Sequence, residues 1–381
     1  MKNKKKILII NTGLRGGGVE RASSSLANYF ADLGYNIQVL SLYQDINKTK
    51  NDMILFKLNK SIKYVEPSFN RNAILQNKHD LQNKNVFWKI NYLFKLLNYI
   101  RKETKKFDPV TVLAFSEWTN PYVVLALFGL KYPIYLSDRM HPLSKLPLIS
   151  QILKRITYRF ASGIIAQTNF AKRILKNKIR SNRIYVSNNP VNIIQKTNDK
   201  EINLIVSVGR LSLEKGHKYL IKAFSMLKNK EWKLALIGDG SERKNLEKMV
   251  SNLGLSDRVF FYGPLTDFSK YLTQAKIFVL PSLKEGFPNS LIEAMAIGKA
   301  TISSDFFDGE NEIIENEKNG ILVSPGNVNE LFLAMEQLIN DNRLRLRIGK
   351  EATKISEKLE FSKIAKQYLN LILNNEYSKK Y

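Results

Sequence analysis

Ile7-Leu-Ile-Ile-Asn-Thr-Gly13-Leu-Arg-Gly16-Gly17-Gly18 decides the fold. Residues 7–10 are a short continuous apolar run of the kind that forms a parallel strand buried on both faces. Glycines follow, and then a helical pattern over residues 19–33. Strand, glycine loop and helix in that order cradle phosphates, because the loop brings backbone N–H groups and a helix amino terminus to one point. Lys2 to Lys6 before this run imitate a signal peptide, but the apolar stretch stops at Asn11, so a first strand is predicted.

The unit repeats down the chain. Strand-like runs at residues 37–42, 110–115, 134–137, 163–166 and 183–186 alternate with helical stretches. The second half restarts at residues 203–208, turns at Gly209-Arg210, and continues as a helix over 218–227. Further strands are expected at 233–237, before Gly238-Asp239-Gly240, and at 276–280, before the loop 281–288. This alternation predicts an α/β chain of two doubly wound domains, joined near residues 188–191. A ligand is expected at the carboxyl ends of the strands.

The chain has 381 residues, 44% apolar, 25% charged and 10% aromatic, so it buries real cores and is neither fibrous nor disordered. It has no cysteine, which excludes disulfides, thiolate metal sites and cysteine nucleophiles, and suits a cytoplasmic setting. The net charge of +26 is unevenly spread: residues 1–190 carry 32 Lys and Arg against 10 Asp and Glu, residues 191–381 carry 28 against 24. A one-sided positive field implies a polyanionic partner, either an anionic membrane face or nucleic acid. The lysine-rich composition alone would not produce the asymmetry. No run of about 18 apolar residues is present, so no spanning helix is expected.

Chemistry concentrates in the second half. Arg210 and Lys215, beside Gly209 and Gly216 after a buried strand, suit a diphosphate, although two solvated cations would read the same way. Then comes Ser282-Leu-Lys-Glu285-Gly286-Phe287-Pro288-Asn289-Ser290-Leu291-Ile292-Glu293. Pro288 suits the first turn of a helix and Gly298 its end, which predicts a helix over 289–297 with N–H groups of Asn289 to Leu291 open to an anion. Glu285 just before the helix and Glu293 one turn inside it are acceptors suited to sugar hydroxyls. A helix-terminus charge and a surface glutamate are the plainer alternatives.

Glu285 and Glu293 eight positions apart, with Pro281-Ser282, Gly209-Arg210, Lys215-Gly216, Gly238-Asp239-Gly240 and Val259-Phe-Phe-Tyr-Gly263, resemble the retaining glycosyltransferases of family 4. Gly17-Gly18-Val19-Glu20-Arg21 resembles that family's glycine loop. The resemblance spans nearly the whole chain except residues 45–105, which match only in character. It implies the GT-B fold: an acceptor-binding, membrane-facing domain over 1–189 and a donor domain over 190–361, facing each other across a cleft. A helix over 362–381 would return to the first domain, its Ile364, Leu369, Ile372 and Leu373 needing a partner surface.

By this resemblance Arg210 and Lys215 bind the diphosphate of a nucleotide sugar, with UDP the expected carrier, and Glu293 holds the ribose. Glu285 touches the transferred sugar, Gly286, Phe287, Pro288 and Asn289 supply backbone, Ser290 and Leu291 cap the phosphates, and Tyr262 with Pro264 brackets the base. Gly17, Gly18, Gly209 and Gly238 complete the expected donor site. Related enzymes often carry a His where this chain has Ser137-Asp138-Arg139-Met140-His141. Arg139 takes that place, cannot act as a base, and can donate to a hydroxyl or phosphate. Arg210, Lys215, Glu285 and Arg139 are therefore the candidate catalytic residues, and Glu20, Arg139 and His141 the candidate acceptor-binding ones.

No metal cofactor is expected: there is no Asp-x-Asp, and the three histidines, at 79, 141 and 217, are scattered. The expected activity is retaining transfer of a hexose or N-acetylhexosamine to a lipid-linked or cell-surface saccharide. Residues 85–106 interleave aromatics and leucines with lysines, as an interfacial helix or a core helix with a basic face would. Phe87, Trp88, Lys89, Lys95, Arg101 and Lys102 are the candidate membrane contacts, and a second basic apolar stretch covers 146–160. A peripheral enzyme on the inner face of the plasma membrane is expected. Nucleic-acid binding lacks a recognition motif and leaves both glutamates unexplained; an epimerase or phosphorylase of the same architecture is the rival among enzymes.

Overall fold

Apolar strands need both faces covered, and the chain meets this need twice. A computed structural model describes residues 4–14, 17–43, 56–69, 86–191, 194, 197–265 and 267–374. These fall into two compact units, residues 1–190 with 362–381, and residues 191–361.

The first unit runs β1 (Lys6–Asn11), α1 (Gly18–Asp32), β2 (Asn36–Ser41), β3 (Lys63–Val65), α2 (Val86–Phe107), β4 (Thr111–Phe115) and α3 (Asn120–Leu127). It continues through β5 (Ile134–Ser137), α4 (Leu148–Thr157), a 3₁₀ turn (Tyr158–Phe160), β6 (Gly163–Ala166), α5 (Asn169–Ile179) and β7 (Ile184–Val186). The strands pair in parallel in the order β3-β2-β1-β4-β5-β6-β7. Ile7 lies opposite Ile37 on one side and Thr111 on the other, so β1 is the point where the winding reverses. Ile7, Leu8 and Ile9 are fully buried, as a strand covered on both faces requires.

The second unit runs β8 (Leu204–Val208), a 3₁₀ turn (Leu213–Lys215), α6 (His217–Ser225), β9 (Lys233–Ile237), α7 (Arg243–Asn252), β10 (Val259–Phe261), α8 (Ser269–Gln274), β11 (Ile277–Leu280) and α9 (Asn289–Ala296). Then come β12 (Ala300–Ser304), β13 (Ile321–Val323), α10 (Val328–Asn340), α11 (Asn342–Ala352) and α12 (Ile355–Lys358). All six strands are parallel, in the order β10-β9-β8-β11-β12-β13, and β8 is the reversal point. Loops after β1 and β4, and after β8 and β11, therefore stand at the switch points of their sheets.

The last helix, α13 (Phe361–Leu373), belongs almost wholly to the first unit. Ile364, Leu369 and Ile372 are buried and Leu373 is half-buried. Tyr368, also buried, donates its hydroxyl proton to the Ser187 carbonyl at 3.2 Å and accepts from Arg139 Nη2 at 3.1 Å.

Candidate active site in the strand-end loops

In the second unit, backbone hydrogen bonds sew four loops together. Gly209 N–H donates to the Ile237 carbonyl at 3.0 Å, Leu211 N–H to Asp239 at 2.9 Å, Gly238 N–H to Gly263 at 2.7 Å and Leu283 N–H to Glu214 at 2.8 Å. Three glycines allow the approach. A Cβ on Gly238 (φ +140°) would stand 2.0 Å from the Gly209 carbonyl oxygen, one on Gly216 (φ +67°) 2.0 Å from that of Pro281, and one on Gly240 2.3 Å from that of Leu211. Only a residue without Cβ fits.

Charged side chains stand on this frame. Lys215 Nζ pairs with Glu285 Oε1 at 2.5 Å, and Ser282 Oγ donates to the same oxygen at 2.8 Å. Lys215, at the end of the loop after β8, is thus held to the loop after β11. Arg210 is exposed and Glu285 is buried. Ser290 Oγ donates to the Val208 carbonyl at 3.0 Å, tying the start of α9 to the end of β8. Gly286 and Phe287 lie in the connecting loop, Phe287 buried.

Two expectations for α9 are corrected. Pro288 caps the helix instead of occupying its first turn, and the Asn289 N–H donates to the Phe287 carbonyl at 3.0 Å, so it is not open to an anion. The first-turn N–H groups of Ser290 and Leu291 are those that helix geometry leaves without intrahelical partners. Glu293 is 1% exposed, which rules out a surface helix residue. Tyr262 is exposed, its ring centroid 4.4 Å from that of Tyr271, and Pro264 beside it is exposed too.

One residue here escaped the sequence reading except as a discarded metal ligand. His217 is buried at the start of α6, with its Nδ1 lacking a hydrogen-bond partner. Burial first, and the Lys215 charge second, push its pKa down to about 3. It is a neutral ring behind the lysine.

In the first unit, Gly17 (φ +141°) precedes α1 and Gly18 opens it; a Cβ on Gly17 would meet Glu20 Oε2 at 2.5 Å. Thr12 Oγ1 donates to Glu20 Oε1 at 2.8 Å, fixing Glu20 over the end of β1. Arg15 and Gly16 lie outside the described residues.

Arg139 differs from expectation. Its guanidinium stacks on Phe115 (4.9 Å) and Tyr368 (5.6 Å), donates to the Tyr368 hydroxyl, and is buried. Two aromatic faces and the Tyr368 hydroxyl hold the buried cation against α13, while its Nε and Nη1 make no hydrogen bond among the described residues.

Neighbouring residues instead line a cavity of about 400 Å³ after β5 and β6, between α4 and α5. His141 belongs to it, with its Nδ1 accepting from the Leu143 N–H at 3.3 Å. So do Glu117 and Asp138, both buried. Asp138 pairs with Lys154 at 2.5 Å and accepts from the Tyr158 hydroxyl at 2.6 Å, while Glu117 accepts from the backbone N–H groups of Arg139 and Met140. Burial first, then the Asp138 charge, raises Glu117 to about 7. No motif pointed to these carboxylates; an acidic residue just after an apolar strand was the available signal.

α2 exposes Phe87, Lys89, Lys95 and Lys102 and buries Leu96 and Ile100. Trp88 stacks on Tyr92, and Arg101 donates to the Ala126 and Phe128 carbonyls at 2.9 and 3.1 Å, so Arg101 serves the fold. Among the described residues no helix is long and apolar enough to cross a membrane.

Residues 16–195 match the family described as Glycosyltransferase Family 4, and residues 189–355 match Glycosyl transferases group 1. An uncharacterized glycosyltransferase of Haemophilus influenzae is 27% identical over 96% of this chain and 98% of its own length. A Campylobacter jejuni enzyme named as a GalNAc-α-(1→4)-GalNAc-α-(1→3)-diNAcBac-PP-undecaprenol α-1,4-N-acetyl-D-galactosaminyltransferase has the same identity and coverage. Among solved structures, sucrose-phosphate synthase from Thermosynechococcus elongatus superposes with a TM-score of 0.81 at 17% identity, covering 97% of this chain and 98% of that one. Anabaena HepE in complex with UDP superposes with 0.75 at 20% identity, covering 96% and 98%. With both family signatures in sequence and a parallel Rossmann-like sheet under each, the chain belongs to the family 4-like glycosyltransferases of GT-B fold.

Proposed function

We propose that this glycosyltransferase moves a hexose or N-acetylhexosamine, with retention, from a UDP-sugar to a lipid-linked or cell-surface saccharide at the inner face of the plasma membrane. The observation that supports the reading is the second unit's switch point, where Lys215 pairs with the buried Glu285 and Ser290 ties the start of α9 to the end of β8, with Arg210 exposed in the loop after β8 and Glu293 buried one turn inside α9. Departure of a nucleoside diphosphate builds negative charge on the leaving oxygen, and prepositioned donors of this kind are each worth about 2.7–4 kcal/mol. Arg210 and Lys215 supply charge, Ser290 and Leu291 supply N–H groups. Glu285, fixed by Lys215 and Ser282, holds the transferred sugar, while Glu293 holds the ribose and Tyr262 with Pro264 borders the base.

The acceptor class rests on the relatives: three Campylobacter jejuni matches are named for diphospho- or PP-undecaprenol acceptors, and another, from Erwinia amylovora, for amylovoran biosynthesis. HepE, of the same fold, holds UDP. Exposed Phe87, Lys89, Lys95 and Lys102 on α2 suit an anionic leaflet, at about 1 kcal/mol per basic residue.

A panel of nucleotide sugars tests the donor by ligand-induced thermal stabilisation, followed by turnover with membrane-derived lipid-linked saccharides. UDP and one UDP-sugar should stabilise the protein and the sugar should appear on lipid. Stabilisation by no nucleotide would refute the reading.

A further inference from the structure

The cavity between α4 and α5 has contents that the donor chemistry does not use. Its volume, about 400 Å³, lies within the roughly 300–1,000 Å³ typical of small-molecule sites. Its wall is cationic: Lys154, Arg155, Lys178 and Arg180 all line it. Of the two carboxylates there, Asp138 is spent on Lys154 and Glu117 on two backbone N–H groups. Lys178 Nζ donates to the Pro142 carbonyl at 2.7 Å, and Arg155 and Arg180 are exposed. Lys178 is pushed below the ordinary lysine range, first by burial and then by the Lys154 charge, so like charges crowd here. Between Asp138 and Asp199 the chain has twelve Lys and Arg and no Asp or Glu. The surplus calls for an anion.

The other half of the cavity is apolar, and it does not stop at the mouth. Leu148 and Ile152 line the cavity and are also exposed, 72% and 51%. They continue along α4 into Ile149, Ile156 and Phe160, all exposed, with Phe160 edge-on to exposed Phe128 at 5.1 Å. α4 carries no acidic residue. A cationic recess whose rim runs into an apolar stripe matches a molecule with a charged head and one hydrocarbon chain. A planar bilayer would meet the stripe and leave the recess unfilled.

We propose that this cavity seats the phosphate or diphosphate head of a single-chain lipid, the anchor of the acceptor, with α4 leading the chain out along its apolar face. This rests on the lipid-linked reading of the acceptor.

The test is equilibrium binding to the full chain of farnesyl diphosphate, inorganic diphosphate and UDP, with phosphatidylglycerol vesicles as competitor. Farnesyl diphosphate should bind at least about tenfold more tightly than inorganic diphosphate, a difference of about 1.4 kcal/mol. Lys178→Glu with Arg155→Glu should weaken it about tenfold or more, and Leu148→Ser with Ile152→Ser several-fold, all leaving UDP affinity unchanged. Equal binding of inorganic diphosphate, indifference to both double variants, or displacement by vesicles at equal lipid concentration would each overturn the proposal. Intact UDP binding in those cases leaves the glycosyltransferase reading standing, whereas loss of UDP binding in the unaltered protein would break that reading instead.

Discussion

The two units wind their parallel sheets in the same sense and join their strand-end loops by opposite means. In the second, loops after β8, β9, β10 and β11 touch through backbone, glycines stand within 2.0–2.3 Å of where a side chain would collide, and few side chains are added. In the first, the loops after β4 and β5 are joined by side chains: Glu117 on two amides, Asp138 on Lys154 and Tyr158, Arg139 on Tyr368. A backbone frame holds its loops by close approach alone, so it tolerates only glycine at the contacts. A side-chain network holds them by charge and hydrogen bonds around a cavity, so it responds to single substitutions and to pH.

The sharpest way to break this contrast is to add one methyl group. Strain at positive φ and overpacking each cost about 1–3 kcal/mol, so Gly238→Ala should lose about 2–6 kcal/mol, read from the urea midpoint. Gly34→Ala in the first unit, at φ +90° with nothing within 4 Å of the new Cβ, bears only the strain. Equal losses would mean that the second unit's loops are not built by close backbone approach.

A smaller effect probes the first unit's side-chain network. Tyr368→Phe leaves the buried Arg139 guanidinium without its hydroxyl partner and frees the Ser187 carbonyl, a loss of about 1–3 kcal/mol in chemical unfolding. An unchanged midpoint would show that α13 is held by apolar packing alone.

A third effect is one of sign. Glu117, raised from 4.5 to about 7, binds a proton more readily folded than unfolded, so its contribution is present below about pH 4.5 and is lost as pH rises through 7. His217, lowered from 6.5 to about 3, resists protonation when folded, so its contribution is present above about pH 6.5 and is lost as pH falls toward 3. Between pH 5 and 7 the two groups pull in opposite directions. Glu117→Gln should make stability rise more steeply with pH across that window, and His217→Gln should flatten it. Shifts of the same sign would contradict the assignment.

What was readable from sequence follows the same divide. Buried parallel strands write continuous apolar runs, so β1, β8, β9 and β11 were legible to within a residue. The second unit's strand-end loops were legible because backbone approach demands glycine, and glycine, Arg210, Lys215 and Glu285 cluster within short spans. β3, β10, β12 and β13 are not legible as strands, being three to five residues long or, in β12, rich in Ser and Thr. Glu117, Asp138, Lys154 and Lys178 come together only through the fold, from four separate segments, and no spacing announces them. The packing of Arg139 on Tyr368 is not legible because the two lie 229 residues apart.

The central claim is that Glu285 and Glu293 do different jobs at one site, and the most direct measurement pairs turnover with UDP affinity. Glu285→Gln keeps an acceptor for Lys215 and Ser282 but loses the charge proposed to face the moving sugar. It should lower kcat at least about a hundredfold while UDP affinity by isothermal titration stays within about threefold, the pattern of an interaction made in the transition state. Glu293→Ala should weaken UDP and the UDP-sugar alike, as uniform binding does. If both variants kept turnover within about twofold of the unaltered enzyme, well short of the tenfold that 1.36 kcal/mol represents, the assignment of this site would be wrong.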